Sequence, residues 1–216
     1  MRMTVLLADD HEIIRNGLRS LIEKERGLEV IGEAGNGRMA IHLARQLKPD
    51  VVIMDIGMPD LNGVEATRQI TTEVPGVKVL ALSMHTDRRF VTGMLKAGAS
   101  GYMLKDGAFE ELIHAIHVLA SNRIYISPGI ASVLLDNLRH PSQDKVPSLP
   151  ALTVKEREVL QLVAEGKSTK EIASQLNVSV KTVETHRQHI MEKLDIHSIA
   201  ELTKYAVREG LTSLEP

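Results

Sequence analysis

Short apolar runs alternate with amphipathic stretches over the first 120 residues of the chain. The runs are Val5-Leu6-Leu7-Ala8, Glu29-Val30-Ile31-Gly32, Val51-Val52-Ile53-Met54, Val77-Lys78-Val79-Leu80-Ala81-Leu82 and Gly101-Tyr102-Met103-Leu104. They are brief, β-branched and mostly apolar throughout, which predicts strands buried on both faces of a parallel sheet. Between them apolar residues recur at helical spacing. Ile14, Leu18, Leu21 and Ile22 form one stripe, and Phe109, Leu112, Ile113, Ile116 and Leu119 another. Five β–α units in succession predict a doubly wound α/β domain, (βα)5, over residues 1–125. Its ligands should bind beyond the C-terminal strand ends, where the strand order reverses.

The pattern then changes. Ser127-Pro128 has the form of a helix start, a capping serine before a proline at the first helical position, and the helix should run to about Leu138. His140–Pro150 carries three prolines and few apolar residues, so residues 126–150 form a helix plus a Pro-rich linker. From 151 to 216 the pattern is all-helical. Thr153-Val-Lys-Glu156, Ser168-Thr-Lys-Glu171 and Ser198-Ile-Ala-Glu201 each fit the capping box, in which hydroxyl and carboxylate satisfy backbone donors reciprocally. Ser179 is a fourth capping serine, without the glutamate. Ser168–Gln175, a turn at Leu176-Asn177-Val178, and Ser179–Leu194 together make a helix–turn–helix pattern, with Asn177 suited to the left-handed residue that closes the first helix.

Composition narrows the classes. The chain has 216 residues, 43% hydrophobic but only 2% aromatic, so it can bury a core and that core is aliphatic. Without cysteine there is no disulfide framework, Cys-based zinc site or thiol nucleophile. No apolar run approaches the roughly 18 residues of a membrane helix, and two acids at Asp9-Asp10 come too early for a signal peptide. A soluble cytoplasmic protein without a membrane partner is the expectation. The 26 Lys+Arg against 28 Asp+Glu leave a net of -2. Residues 1–150 hold 17 basic and 18 acidic residues, and residues 151–216 hold 9 and 10, so the domain boundary is not a charge boundary.

Acids cluster at predicted strand ends: Asp9 and Asp10 after the first strand, Asp55 after the third. With those strands adjacent, three carboxylates converge, and a hard cation such as Mg²⁺ relieves their repulsion. Ser83 and Lys105 end the fourth and fifth strands, where a hydroxyl and an ammonium suit a phosphoryl group.

These residues carry a resemblance. Asp9-Asp10, the run Val51-Val52-Ile53-Met54-Asp55-Ile56-Gly57-Met58-Pro59-Asp60-Leu61-Asn62-Gly63, Ser83, and Gly101-Tyr102-Met103-Leu104-Lys105 resemble the receiver domain of bacterial two-component response regulators. The resemblance implies that Asp55 takes a phosphoryl group from a histidine kinase. It implies that Asp10, Asp55 and the Gly57 carbonyl hold Mg²⁺ with Asp9 in the outer sphere, and that Lys105 pairs with phosphoryl oxygens. Ser83 is then the switch hydroxyl and Tyr102 the switch aromatic. Gly57 leaves the position two residues after the acceptor without a side chain, so water should reach an acyl phosphate and shorten its lifetime. His85 is the alternative group to block that approach.

In the helical part, a wheel from Val180 gathers Val180, Val183, Ile190, Met191 and Leu194 on one side, and Lys181, Thr182, Thr185, Gln188, His189 and Glu192 on the other. On a recognition helix, Thr185 and Gln188 suit base edges, and Lys181 and Thr182 suit phosphate. His189 shares that face, and Glu184 lies at its edge, able to accept from cytosine or to repel phosphate. Arg187 falls on the apolar side, which favours a structural role over a DNA contact. Leu152–Leu160, Gly166-Lys167-Ser168, Glu171-Ile172-Ala173 and Val178–His186 are similar to the LuxR-type DNA-binding domain. Together the two resemblances describe a NarL/FixJ-type response regulator. They imply a phosphorylation-controlled, non-enzymatic transcription factor whose last helix, about Ser198–Glu209, pairs two copies on promoter DNA.

Other readings fail on spacing. The haloacid-dehalogenase phosphatases want an acid two residues after the nucleophile, where this chain has Gly57. Gly166-Lys167-Ser168 lacks the upstream glycine of a P-loop. His114/His117 and His186/His189 lack a third ligand for a metal. A helical domain that binds protein or RNA is the remaining rival.

Overall fold

The computed structural model describes residues 2–84, 86–107, 109–139 and 152–212. The elements run β1 (Met3–Ala8), α1 (Glu12–Ile22), β2 (Leu28–Ala34), α2 (Gly37–Leu47), β3 (Val51–Asp55), α3 (Gly63–Glu73), β4 (Lys78–Ser83), α4 (Arg88–Lys96), β5 (Gly101–Leu104), α5 (Phe109–Ala120), β6 (Tyr125–Ile126) and α6 (Pro128–Arg139). Four helices follow: α7 (Val154–Ala164), α8 (Thr169–Leu176), α9 (Val180–Leu194) and α10 (Ile199–Arg208). The chain divides into two compact units, Met1–Pro141 and Ser142–Pro216.

The first unit is a parallel sheet in the order β2-β1-β3-β4-β5-β6. Alternate residues point to opposite faces, as the pleat requires. Leu6, Ala8, Val52, Met54, Val79 and Ala81 pack against residues of α2, α3 and α4 on one face. Val5, Leu7, Val51, Ile53, Leu80 and Leu82 pack against Ile22 of α1 and against α5 on the other. Burial on both faces explains the unbroken apolar runs. The order reverses between β1 and β3, so the C-terminal ends of these neighbours open the crevice predicted for a ligand.

A sixth strand adds to the five expected ones, and the first compact unit runs to Pro141. Tyr125 and Ile126 pair in parallel with Gly101 and Tyr102, and the Ser127 amide donates to the Tyr102 carbonyl at 3.0 Å. The helix predicted from Ser127-Pro128 is present as α6, but it is built into the first unit, with Ile130 fully buried and Leu134 packed on the same core. Two strand residues are too few to show a period, and the following proline disguised them as a helix entry. The Pro-rich stretch from His140 to Pro150 lies outside the described residues.

The second unit is helical around Val159, Leu160, Leu162, Ile172, Val183, Ile190, Leu194, Leu202 and Ala206. Thr153 and Ser168 make complete capping boxes with Glu156 and Glu171. Ser179 accepts from the Thr182 amide at 3.0 Å, and Ser198 from Glu201 at 3.2 Å. Asn177, at φ 53°, closes α8 in the left-handed conformation that asparagine tolerates. Among the described residues no helix is long and apolar enough to cross a membrane.

Candidate functional site

Parallel pairing of β1 with β3, through Ala8 opposite Met54, sets Asp9 beside Asp55. Both are buried, and Asp10 is partly exposed. One ligand atom from each of Asp9, Asp10, His11 and Asp55 falls within 4.8 Å of the others. Lys105 reaches in from the end of β5, with its ammonium 2.7 Å from Asp9 Oδ2 and 3.1 Å from Asp55 Oδ1. Its backbone is held by a 2.8 Å bond from its amide to the Ser83 carbonyl. Burial pushes the Asp55 carboxyl above its ordinary value and Asp9 adds to the shift, while Lys105 opposes both. Burial works against the Lys105 ammonium, but the charges of Asp55 and Asp9 outweigh it and the net shift is upward. One ammonium between two buried carboxylates leaves surplus negative charge. The donors are mostly carboxylate oxygens, and Asp10 Oδ1 is buried without a hydrogen-bond donor, so the residues fit a hard divalent cation.

The loop after Asp55 is shaped by two glycines of opposite character. Asp55 Oδ1 accepts from the Ile56 amide at 2.8 Å, and the Gly63 amide donates to the Ile56 carbonyl at 2.9 Å. A Cβ on Gly63 would lie 1.9 Å from the Asp55 carbonyl oxygen, so only glycine lets α3 start this close. A Cβ on Gly57, which is exposed, would meet nothing within 4 Å. His85 lies outside the described residues. Behind the acids, Ser83 and Tyr102 are both buried and hydrogen-bonded to one another through their side chains. Burial drives the Tyr102 phenol up to about 12, so it stays neutral.

In the second unit, α8 and α9 form the helix–turn–helix. Val183, Ile190 and Leu194 face the core, while Val180 is exposed. Lys181, Thr182, Thr185 and His189 line a shallow concavity of about 360 Å³ with Ser179 and His186. The Thr185 hydroxyl donates to the Lys181 carbonyl at 2.9 Å, and the Gln188 amide to Glu192 at 2.8 Å. Glu184 is exposed but belongs to a neighbouring concavity of about 410 Å³, with Arg187, Gln188, Met191, Glu192 and His197. Arg187 donates to the Thr169 hydroxyl at 3.2 Å, tying α9 to the start of α8.

Family models divide the chain at the same place as the change in architecture. Residues 5–117 match the response regulator receiver domain, and residues 150–206 match bacterial regulatory proteins of the luxR family. The chain is a NarL/FixJ-type response regulator. It is 37% identical over 213 residues to response regulator UvrY of Escherichia coli K12, covering 99% of this chain and 97% of UvrY. It is 39% identical to response regulator GacA of Pseudomonas aeruginosa, with 96% of each covered. Among solved structures, RcsB of Salmonella typhimurium aligns with a TM-score of 0.60 at 28% identity, over 96% of this chain and 99% of that one. A related structure holds two RcsB dimers on two parallel DNAs, with a TM-score of 0.58, 28% identity and coverage of 95% and 98%. Its relatives are transcriptional regulators, and this chain is a transcription regulator of the same kind.

Three features of the regulator's sites were not read from its sequence. His11 lies against the acids, a consequence of the turn after β1 that no spacing rule reports. The Ser83–Tyr102 bond joins two strands. Glu156, recognised only as a capping residue, is also buried against Lys193, whose ammonium lies 2.7 and 2.8 Å from its two oxygens.

Proposed function

We propose that this response regulator accepts a phosphoryl group on Asp55 from a histidine kinase. The modified chain then pairs and binds promoter DNA through α9, in the cytoplasm. The observation that carries the reading is Lys105 suspended between Asp9 and Asp55 at the sheet's switch point. In the transfer an Asp55 oxygen attacks phosphorus and the phosphorus–nitrogen bond to the kinase histidine breaks, its electron pair staying on the ring nitrogen of an imidazole whose other nitrogen already carries the proton that leaves it neutral. Asp10, Asp55 and the Gly57 carbonyl would hold Mg²⁺, with Asp9 in the outer sphere, and the cation supplies neutralisation of charge on the phosphoryl oxygens. Lys105 exchanges a carboxylate partner for a phosphoryl oxygen. Ser83, at the end of β4, turns its hydroxyl toward the new charge, releasing its bond to Tyr102. That exchange is the local event that biases a two-state surface.

For DNA, Thr185 and Gln188 are the base readers, with Gln188 giving up Glu192 for an adenine edge. Lys181 and Thr182 meet phosphate, and His189 flanks them. Glu184 shares a concavity with Gln188 at the edge of this face, where it accepts from a cytosine or repels phosphate. From Lys167 to Lys193 five cations oppose three acids, a small excess that favours binding by two copies together over one. Pairing of receivers, or release of the helical unit from its own receiver, are the two routes to that state.

The test is labelling with a small phosphodonor and Mg²⁺, followed by footprinting on promoter fragments. The reading requires label in the wild type, none in Asp55→Asn, and a footprint strengthened by phosphorylation. No label in the wild type, or equal label in Asp55→Asn, overturns it. Binding to RNA or protein with no footprint on duplex DNA would favour the rival for the helical unit.

A further inference from the structure

The turn after β1 places an imidazole where only carboxylates were expected. The His11 amide donates to Asp9 Oδ1 at 2.8 Å, which fixes the His11 backbone over the pocket. Its ring Nδ1 then lies 2.9 Å from Asp10 Oδ1 and 3.3 Å from Asp9 Oδ1. The shorter approach is not aligned as a hydrogen bond, because Asp10 Oδ1 is buried and still lacks a donor. Two ligand atoms each about 2.1 Å from an octahedral cation, at right angles, are about 3.0 Å apart. Nδ1 and Oδ1 already have that separation. One ligand atom from each of His11, Asp10 and Asp55 lies within 4.8 Å of the others, close enough for a modest side-chain adjustment to bring all three onto one ion.

We propose that His11 is a nitrogen ligand of this pocket and lets it hold borderline divalent cations, of the Ni²⁺, Co²⁺ and Zn²⁺ class, in competition with Mg²⁺. The idea rests on the reading of the pocket as the Mg²⁺-dependent acceptor and adds selectivity to it. A site of carboxylate and carbonyl oxygens suits Mg²⁺, whereas imidazole favours the later first-row metals. Mg²⁺ keeps several waters and takes one or two carboxylates, so it gains little from the ring. A borderline ion held by His11, Asp10 and Asp55 displaces Mg²⁺ from the acceptor pocket, which makes the metal supply an input to the regulator. His11 is exposed on its other side and packs in no core, so its replacement does not threaten the fold.

The experiment titrates the full chain with NiCl₂ and with MgCl₂ by calorimetry. Wild type, His11→Ala and Asp10→Ala are compared, and paramagnetic Ni²⁺ is located by broadening of backbone amide resonances. The expected result is that His11→Ala lowers the ratio of Ni²⁺ to Mg²⁺ affinity by about tenfold. Amides of residues 9–11 and 55–57 should broaden first in the wild type. An unchanged ratio, or broadening confined to His114/His117 or His186/His189, overturns the proposal. If the wild type binds Ni²⁺ at residues 9–11 but shows no Mg²⁺ binding, the His11 site stands and the acceptor reading falls. If neither ion binds in the pocket, both fall.

Discussion

The receiver buries Asp9 and Asp55 with one lysine shared between them, whereas the helical unit buries Glu156 with Lys193 as its own partner. In the first arrangement charge is left over, and the surplus sits at the open end of a sheet where a cation and a phosphoryl group can reach it. In the second the charges cancel, and the pair locks α7 to α9 without presenting anything to a ligand. Lys181, Thr185, Gln188 and His189 lie instead on an exposed helix face. Buried charge therefore means different things in the two halves: uncompensated, it marks chemistry, and compensated, it marks architecture. Desolvation makes the distinction sharp, since a buried carboxylate without a full counter-charge keeps its demand for one.

Replacing the acceptor should break the comparison most completely. Asp55→Asn loses all phosphoryl label from a small phosphodonor, while Lys193→Met, in the other unit, labels as the wild type does. Quantitation of acid-stable, base-labile phosphate decides it. Next in size, Lys181→Ala with Gln188→Ala should weaken promoter binding by tenfold or more, since a good bidentate base contact contributes about 1–3 kcal/mol. The slope of log affinity against log salt should also become shallower by about 1, and titration by fluorescence anisotropy at several salt concentrations measures both.

Gly63→Ala puts a methyl group against the Asp55 carbonyl. Overpacking of this kind costs about 1–3 kcal/mol, and the upper end is expected here because the obstacle is backbone. Denaturant unfolding of the full chain reads the loss. Lys193→Met should cost about 1.5–3 kcal/mol near neutral pH, the range for hydrogen bonds to a charged group. It should also change the pH dependence. Burial raises the Glu156 carboxyl, but Lys193 and the Thr153 backbone and hydroxyl outweigh it, so its folded value lies below the ordinary 4.5. A lowered folded value contributes stability that is complete above 4.5 and is lost as pH falls through the folded value. Wild type should therefore lose this increment in acid, and Lys193→Met should show a flatter acid limb in the same range. The smallest effect is on lifetime. Gly57→Leu fills open space above the acceptor, and decay of the phosphorylated receiver should slow several-fold, whereas an unchanged rate removes the water-access argument.

Much of this is legible in the sequence. The apolar runs locate β1 to β5 within one or two residues because most positions of β1, β3, β4 and β5 are buried on both faces, and edge strand β2 keeps an apolar alternation despite Glu29. The capping residues Thr153, Ser168, Ser179 and Ser198 each open a helix, because a cap is a local hydrogen bond that needs only its own turn. The wheel puts Arg187 on the apolar side of α9, and in the structure its guanidinium donates to the Thr169 hydroxyl. Glu184 was harder: a wheel has no neighbours, and only the packed unit shows it grouped with Arg187 and Glu192. β6 was missed since a two-residue strand has no period and exists only by pairing with Gly101 and Tyr102. That same pairing carries α6 onto the first unit, where Ile130 and Leu134 join its core.

By itself the sequence determined which residue types stand at each strand end, where the helices begin, and that two architectures share the chain. Those properties follow from burial period and from hydrogen bonds within a turn. Tertiary structure alone decided that Lys105 spans Asp9 and Asp55, that Ser83 holds Tyr102, that Gly63 is forced and Gly57 free, and that His11 leans on Asp10. Each of these depends on distances between segments far apart in the chain or on the path of a single turn, and only packing sets such distances.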